Sequence, residues 1–331
     1  MVLVIGQNSV WQKTYFLDNL ALGKVNRVKR ALGSAAGKGG NVSRVLKGEG
    51  IDCFLLAYAG GRDGEKFKGD IQGDDISAKY VSIGGETRTC TTLISDAGEI
   101  TELIEPPPMV TNEEREEYLA LFQQSLGDAS FLVISGTAIS GERDDCYRTY
   151  LKMAKAKGVP VLLDSYKKHG QEALSAGPDI LKVNKEEIEE ITGMKFTGEY
   201  ERQQVYRKVM EDYGISWTIV TKGHKGAEGC DGEKIMTVTN PEVDLVNSIG
   251  SGDSVTAGIV SVLVRGGAVK KSSSLSFTNC LSSGLLKDAL VYGVTLGTAN
   301  CLSWKPGHIG AEYRENIMRQ VRVTTRVMQN E

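Results

Sequence analysis

The 331-residue chain predicts an α/β fold, a doubly wound and mainly parallel sheet with helices on both faces, carrying a second, small β-sheet. Three observations lead there. Short apolar runs alternate with segments of helical spacing, first around Asp52 to Ile71 and then from Asn112 to Thr221. Two other stretches, about Val10 to Ala31 and Lys79 to Glu105, mix β-formers with charge and lack that spacing. Glycine-rich loops stand where strands would hand over to helices, which is where open α/β sheets bind ligands.

Taken in order, Val2 to Ile5 reads as a first buried strand. Val10 to Ala31 predicts two strands of a partly exposed sheet, with Leu22-Gly23-Lys24 as the turn region. The cluster Gly37-Lys38-Gly39-Gly40-Asn41 then opens a helix, in which Val42, Val45 and Leu46 share a face. Asp52 to Ala59 is a buried strand, and Gly60-Gly61-Arg62-Asp63-Gly64 leads into the amphipathic Glu65 to Ile71. Thr87 to Ile104 holds two β-rich runs around the turn Asp96-Ala97-Gly98, suited to pair with the N-terminal β-rich segment. Pro106 to Pro108 ends this excursion. Helices are predicted over Asn112–Leu126, Arg143–Lys157, Glu186–Thr192 and Glu201–Tyr213, and strands over Phe131–Ser135, Val161–Asp164, Ile180–Val183 and Trp217–Thr221. The run from Arg314 to Glu331 reads as a polar helix or a frayed tail.

Composition excludes several classes. Thirty-nine basic against 42 acidic residues give a net charge of −3, so no general affinity for nucleic acid or an anionic membrane is expected, and an anionic ligand needs a local site. Six cysteines, with no CxxC pair, suggest reduced thiols in a cytoplasmic protein rather than a zinc site or a disulfide framework. No apolar run approaches a membrane span. After the first strand stands Gly6-Gln7-Asn8-Ser9-Val10, not the GxGxxG of a dinucleotide-binding oxidoreductase.

Four loops are candidates for chemistry. The most specific is Asn247-Ser248-Ile249-Gly250-Ser251-Gly252-Asp253, followed by an apolar run to about Val264. A helix start has unpaired N–H groups and the positive end of the dipole, and glycines allow a phosphate to approach closely. An acid there repels phosphate but can take a proton from an attacking hydroxyl, which makes Asp253 a candidate general base. A helix cap is the competing explanation. In Gly37 to Asn41, Lys38 offers a point charge and Asn41 a cap or a hydrogen bond to a hydroxyl. In Lys182-Val183-Asn184-Lys185-Glu186-Glu187, Asn184 and Glu187 face the same side of a first helical turn. They suit either the water shell of Mg²⁺ or a capping box, and the pattern alone favours the box. Thr221-Lys222-Gly223-His224-Lys225-Gly226 suits a nucleotide phosphate or a plain turn, and His224 has no partner at metal-ligand spacing.

IGSGDSVTAG, together with KVNKEE, TKGHKG and AGKGGNVSRVL, resembles the ribokinase-like (PfkB) carbohydrate kinase family, collinearly from about Met1 to Gly310. GKGGNVSRVL, GETRT and SGTAISGERDDCYRTY look most like the branch of 1-phosphofructokinases and tagatose-6-phosphate kinases. The resemblance implies transfer of the γ-phosphoryl group of ATP, with Mg²⁺, to a hydroxyl of a sugar phosphate. By it, Asp253 is the base, and Gly250, Ser251 and Gly252 form the anion hole with the Asp253 amide. By the same resemblance Asn184 and Glu187 place Mg²⁺ through water, which reverses the preference given by pattern alone. Thr221, Gly223 and Gly226 join Asn184, Gly250 and Gly252 around the nucleotide. Lys38 and Arg88 bind the existing phosphate, and Gln12, Gly37, Gly39, Asn41 and Thr137 line the sugar site. A core of residues 1–9, 32–81 and 106–331 and a lid of residues 10–31 and 82–105 are expected, the lid being a candidate homodimer interface.

The chain departs from the family pattern in three places. Gln12 stands where the branch usually has an Asp that grips sugar hydroxyls, so the sugar preference is open. Gly136-Thr137-Ala138-Ile139 keeps a hydroxyl but lacks the usual proline, and Ser251 replaces the usual Ala of the anion loop. A non-catalytic sugar or nucleotide sensor of the same fold is the alternative, opposed by the presence of Asp253, Asn184 and Glu187.

Overall fold

A computed structural model describes residues 1–269 and 277–329. The parallel body of the large sheet is built from β1 (Val2–Ile5), β4 (Cys53–Ala59), β5 (Ser77–Ser82), β8 (Phe131–Ser135), β9 (Val161–Asp164), β10 (Ile180–Asn184) and β11 (Trp217–Thr221). In space these run β11-β10-β9-β8-β1-β4-β5, all parallel. β12 (Ala227–Cys230), β13 (Lys234–Thr239) and β14 (Arg322–Val327) continue the sheet antiparallel beyond β11, to ten strands. The chain therefore proceeds to one side of β1 through β4 and β5, then returns and starts the other side with β8. Between β1 and β8 lies the topological switch point, where such sheets open a crevice.

Alternation across the strands feeds two cores. Leu3, Ile5, Leu132 and Ile134 point into one, covered by α3 (Asn112–Leu126), α4 (Cys146–Ala156), α5 (Lys167–Leu174), α6 (Lys185–Thr192) and α7 (Glu199–Tyr213). Val2, Val4, Phe131 and Val133 point into the other, under α1 (Lys38–Gly48), α2 (Gly61–Gly73), α8 (Ser251–Arg265) and α10 (Ser283–Asn300). Strands buried on both faces need continuous apolar runs, which VLVI and FLVIS supply. The short α9 (Phe277–Cys280) and α11 (Ala311–Gln320) complete the helices among the described residues.

Helix starts follow their caps. Thr111 and Glu114 form a full capping box on α3, and the Ser282 hydroxyl accepts from the Leu285 amide at 3.2 Å on α10. α8 is held by close packing instead. A Cβ placed on Gly258 would stand 2.7 Å from the Cα of Gly293, so α8 and α10 meet backbone to backbone. That contact fixes the direction in which the start of α8 points.

The small sheet is β3-β2-β6-β7, with β2 (Val10–Leu17), β3 (Arg30–Ala36), β6 (Thr89–Ser95) and β7 (Ile100–Ile104). The N-terminal and later β-rich segments join through β2 and β6, which pair in parallel. The turn Asp96 to Gly98 lies between β6 and β7 as predicted. One strand is displaced: β3 begins at Arg30 and runs to Ala36, later than a strand ending at Ala31. Between β2 and β3 the Asn26 side chain closes a loop, accepting from the Ala21 amide at 2.8 Å and donating to the Ala21 carbonyl at 2.9 Å. Lys29 is then pinned to Asp18 and Asp96.

The C-terminal run is also corrected. It is a helix, α11, followed by strand β14, which pairs with β13 at the sheet edge, with the last two residues outside the described ones. All six cysteines are free, and no helix among the described residues is long and apolar enough to cross a membrane.

Candidate active site

Gly250 flanks the start of α8 with φ at 81°, a left-handed conformation that other residues adopt only at a cost. No side chain caps this helix. The cap explanation for Asp253 therefore does not hold. Its carboxylate turns to α1, where Oδ2 accepts from Asn41 Nδ2 at 2.8 Å, and the residue is only 6% exposed. An uncapped helix start leaves amides available for an anion, with a buried acid on the first turn.

Behind that acid lies a charge network. Asp164, at the end of β9 and wholly buried, accepts from Lys38 Nζ at 2.9 Å, Lys182 Nζ at 3.0 Å and Thr256 Oγ1 at 2.8 Å. Burial alone would raise its pKa, but Lys182 and Lys38 more than reverse this and hold the carboxyl well below the usual range. Lys38 loses some basicity to burial and regains more from Asp164, Asp253 and Glu187, so it stays charged. Asp253 differs. Burial pushes its pKa up and the Asp164 charge adds to this, while Lys38, Asn41 and Lys182 offset only part. One carboxylate is locked in its charged form and its neighbour is tuned toward basicity, the division expected where one acid positions and the other moves a proton.

A cavity of about 140 Å³ opens at the switch point. Its walls come from the ends of β1 (Gly6, Asn8), β8 (Ser135, Gly136, Thr137) and β9 (Ser165, Tyr166), from Gly37, Lys38 and Gly39 at the start of α1, and from Arg88 at the base of the small sheet. The glycine loop fits here because a Cβ on Gly39 would lie 2.4 Å from the Gly6 Cα. Asn8 Nδ2 braces the opposite loop, donating to Thr137 Oγ1 at 3.0 Å and to the Ala138 carbonyl at 3.2 Å. Four wall residues carry buried polar atoms with no partner among the described residues: Asn8 Oδ1, Ser135 Oγ, Ser165 Oγ and Arg88 Nε. Buried polar groups are nearly always paired, so such a ring marks a place for a polar ligand or water.

Asn184 and Thr221 are register partners at the carboxyl ends of β10 and β11. Gly223 lies in the turn after β11, and Gly226 ends that turn before β12. Asn184 and Glu187 form the complete capping box, Oδ1 accepting from the Glu187 amide and Oε2 from the Asn184 amide, each at 2.8 Å. This arrangement explains their placement without a ligand. It also aims a buried carboxylate into the field of Lys38. No cluster of three metal-ligating side chains exists among the described residues. The lone carboxylate of Glu187 would suit only a largely hydrated ion, the form in which Mg²⁺ is commonly bound.

The structure thus gathers Lys38, Asn41, Gly250, Ser251, Gly252 and Asp253, and gathers Gly37, Lys38, Gly39, Arg88 and Thr137 on one cavity. The two groups share Lys38. Gln12 is not a wall residue: it is 3% exposed and donates through Nε2 to Thr92 Oγ1 at 2.7 Å, inside the small sheet.

The pfkB family carbohydrate kinase model matches residues 1–280. The chain belongs to the PfkB carbohydrate kinases. It is therefore a phosphotransferase with an alcohol group as acceptor, and its family implies ATP as a substrate. This kinase is 30% identical over 327 residues to a tagatose-6-phosphate kinase of Staphylococcus epidermidis, covering 98% of this chain and 99% of that one. Among solved structures, phosphofructokinase-2 from Escherichia coli in complex with fructose-6-phosphate superposes with a TM-score of 0.81 at 18% identity, over 96% and 98% of the two chains. Arabidopsis thaliana ribokinase complexed with ribose and ATP gives 0.71 at 17% identity, again over 96% and 98%. These structural likenesses establish the ribokinase-like fold of the kinase.

Sequence reasoning assigned no role to Asp164, Thr256, Asn8, Ser135, Ser165 or Tyr166, and quoted Lys182 only within a motif. Two signals were present. An acid closes the buried strand VLLD, and a lysine interrupts the apolar run ILKV. Charged residues are almost never fully buried unless paired, so each implied a partner.

Proposed function

We propose that this kinase transfers the γ-phosphoryl group of ATP to a hydroxyl of a ketohexose monophosphate. Fructose 1-phosphate is the first candidate, from the motif resemblance, and tagatose 6-phosphate the second, favoured by the Staphylococcus epidermidis relative. One observation carries the reading. The switch-point cavity has two cations, Arg88 and Lys38, on walls lined with unpartnered polar atoms, and the same Lys38 acts on the buried Asp253.

In this reading Arg88 supplies a planar fork and Lys38 a point charge for the phosphate already on the sugar. Gly37, Gly39, Asn41 and Thr137 bound the sugar. Gln12 would take part only by exchanging its bond to Thr92 for one to a hydroxyl. Asp253 removes the proton of the attacking hydroxyl, and its raised pKa suits that task. The amides from Gly250 to Asp253 stabilise charge on the transferring group, and alignment by this fixed frame is most of what phosphoryl transfer needs. The nucleotide lies along Asn184, Thr221, Gly223, Gly226, Gly250 and Gly252. Asn184 and Glu187 would hold Mg²⁺ through water, and its charge would there offset that of the nucleotide phosphates. The small sheet is the lid, and its exposed Leu103 and Ile104 make it the candidate dimer interface.

A coupled ADP-release screen tests this with fructose 1-phosphate, tagatose 6-phosphate, fructose 6-phosphate, free sugars and nucleosides. A preference for one phosphorylated ketohexose supports the reading. A main activity on an unphosphorylated acceptor, unchanged in Arg88→Ala, overturns the substrate class.

A further inference from the structure

Arg44 lies on α1 one turn beyond Asn41 and is 5% exposed, yet it is not among the residues that line the cavity. Its guanidinium makes five bonds in three directions. Nε donates to Asp74 Oδ2 at 2.6 Å and Nη2 to Asp70 Oδ2 at 3.2 Å, both on or just after α2. Nη2 also donates to the Ala35 carbonyl at 2.9 Å, at the root of lid strand β3, where Asp70 Oδ2 accepts from the Ala35 amide at 2.8 Å. Nη1 donates to the Pro306 carbonyl at 2.8 Å and reaches Asn41 Oδ1 at 3.5 Å. Asn41 is the residue that holds Asp253.

Pro306 leads on to the catalytic loop. Its ring carbon would be 3.1 Å, and the Gly307 amide nitrogen 3.4 Å, from a Cβ on Gly250, so the Gly250 backbone is pressed against this segment. The next residue donates its amide to Asn300 Oδ1 at 2.7 Å, and Asn300 Nδ2 donates to the Ile249 carbonyl at 2.8 Å. Lys305 closes the frame on Asp70 at 3.2 Å and on Asp74 at 2.9 Å. One planar group therefore touches the lid root, the segment backing the anion loop, and the amide side chain that orients the base.

We propose that Arg44 is a positioning residue that couples the root of the lid to the loop Ile249–Asp253, keeping Asn41, Asp253 and the loop amides in one register. The catalytic consequence rests on the kinase reading above; the mechanical coupling does not. A lysine keeps the positive charge beside Asp70 and Asp74, but its single ammonium cannot serve Pro306, Ala35 and Asn41 together.

The test uses the full chain with three variants. Arg44→Lys lowers kcat about ten- to a hundredfold, as expected when a reacting group is displaced by up to about an ångström, and leaves the KM for ATP within about twofold. Glu49→Gln, which loosens the opposite end of α1 near Arg265 and Arg314, lowers Tm and leaves kcat unchanged. Combining Arg44→Lys with Asn41→Ala gives a loss smaller than the product of the two single losses, because both substitutions release the same Asp253 carboxylate. Hydrogen exchange without substrate reads the coupling independently: Arg44→Lys speeds exchange in both the end of β3 and the loop Ile249–Asp253. Should Arg44→Lys not fold, Asp74→Asn loosens one arm of the guanidinium and is read the same way. Multiplicative loss in the double variant, or faster exchange confined to α1 and α2, overturns the proposal. Faster exchange at both places in an enzyme whose wild type phosphorylates no sugar phosphate supports the coupling and refutes the substrate reading instead.

Discussion

Replacing Asp253 with Asn separates chemistry from architecture at the start of α8. Asn is nearly isosteric, and its amide oxygen can still accept from Asn41 Nδ2, the bond that now spans 2.8 Å. Lys38 and Lys182 keep Asp164 as their partner, so no cation is left unpaired. What disappears is the capacity to take a proton, a contribution of about 10²- to 10⁴-fold in turnover. At about 1.4 kcal/mol per tenfold, this is about 3–5 kcal/mol of barrier. Stability moves the other way. The folded pKa of Asp253 lies above the ordinary aspartate value, mainly through burial, so folding favours the protonated form. Its stabilising contribution is fully present below the unfolded value and is lost as pH rises through the folded one. At neutral pH the neutral Asn should therefore leave Tm unchanged or higher. Steady-state ADP release and a thermal melt on the same preparations check both halves. Wild-type kcat/KM should also fall at the acid end through a pKa above the ordinary carboxylate range. Near wild-type turnover refutes the base assignment, and a lower Tm refutes the account of burial.

Three further outcomes test neighbouring parts of the site. Arg88→Ala raises the KM for the phosphorylated sugar about tenfold or more, with kcat less affected, as loss of a charge-assisted contact predicts; equal effects on sugar and ATP would place the residue elsewhere. Glu187→Gln keeps the capping box, which Gln can complete, so Tm stays within about 1 kcal/mol in stability. If the carboxylate serves Mg²⁺, the metal concentration for half-maximal rate rises, and an unchanged metal dependence leaves Glu187 a cap alone. Asp164→Asn unfolds more easily at neutral pH by about 2–4 kcal/mol, because Lys182 and Lys38 lose their shared carboxylate. The depressed pKa of Asp164 means this stability is fully present above its unfolded value and is lost as pH falls through the folded one. Acid titration of the melts should therefore show the gap between variant and wild type closing only below about pH 4.

How far the sequence could be read followed from where each determinant lies along the chain. Helix Asn112–Leu126 and the strands Phe131–Ser135, Val161–Asp164 and Trp217–Thr221 have the predicted limits, because burial on both faces and local caps are written in consecutive residues. β14 lies in the run that reads as a polar helix or a frayed tail, because RVTTRV is an exposed edge strand, and only its pairing with β13, some ninety residues earlier in the chain, makes it a strand at all. The site divides in the same way. Gly250 to Asp253 and Asn184 to Glu187 were found as loops opening helices, since a helix start is a local event. That Asn41 rather than a cap would hold Asp253 was not legible, as the bond joins residues 212 apart.

Gln12 shows what a local reading leaves open on a strand. Its position on β2 matches a family pattern, but whether a side chain reaches the cavity depends on which face of the strand it occupies. Val10, Gln12 and Thr14 share the buried face of β2, while Trp11 and Lys13 lie on the other. Gln12 is accordingly paired with Thr92 across the β2–β6 ladder. The Asn8 Oδ1, unpartnered among the described residues, instead belongs to a wall residue of the cavity, carried there by the end of β1 rather than by the small sheet. Asn8 thus follows a strand of the central sheet, whereas Gln12 sits in the small one. Discrimination among ketohexose phosphates that rests on Asn8 would therefore persist in Gln12→Ala, whereas discrimination that rests on Gln12 would be lost with it. The ratio of kcat/KM for fructose 1-phosphate and tagatose 6-phosphate in that variant decides between them.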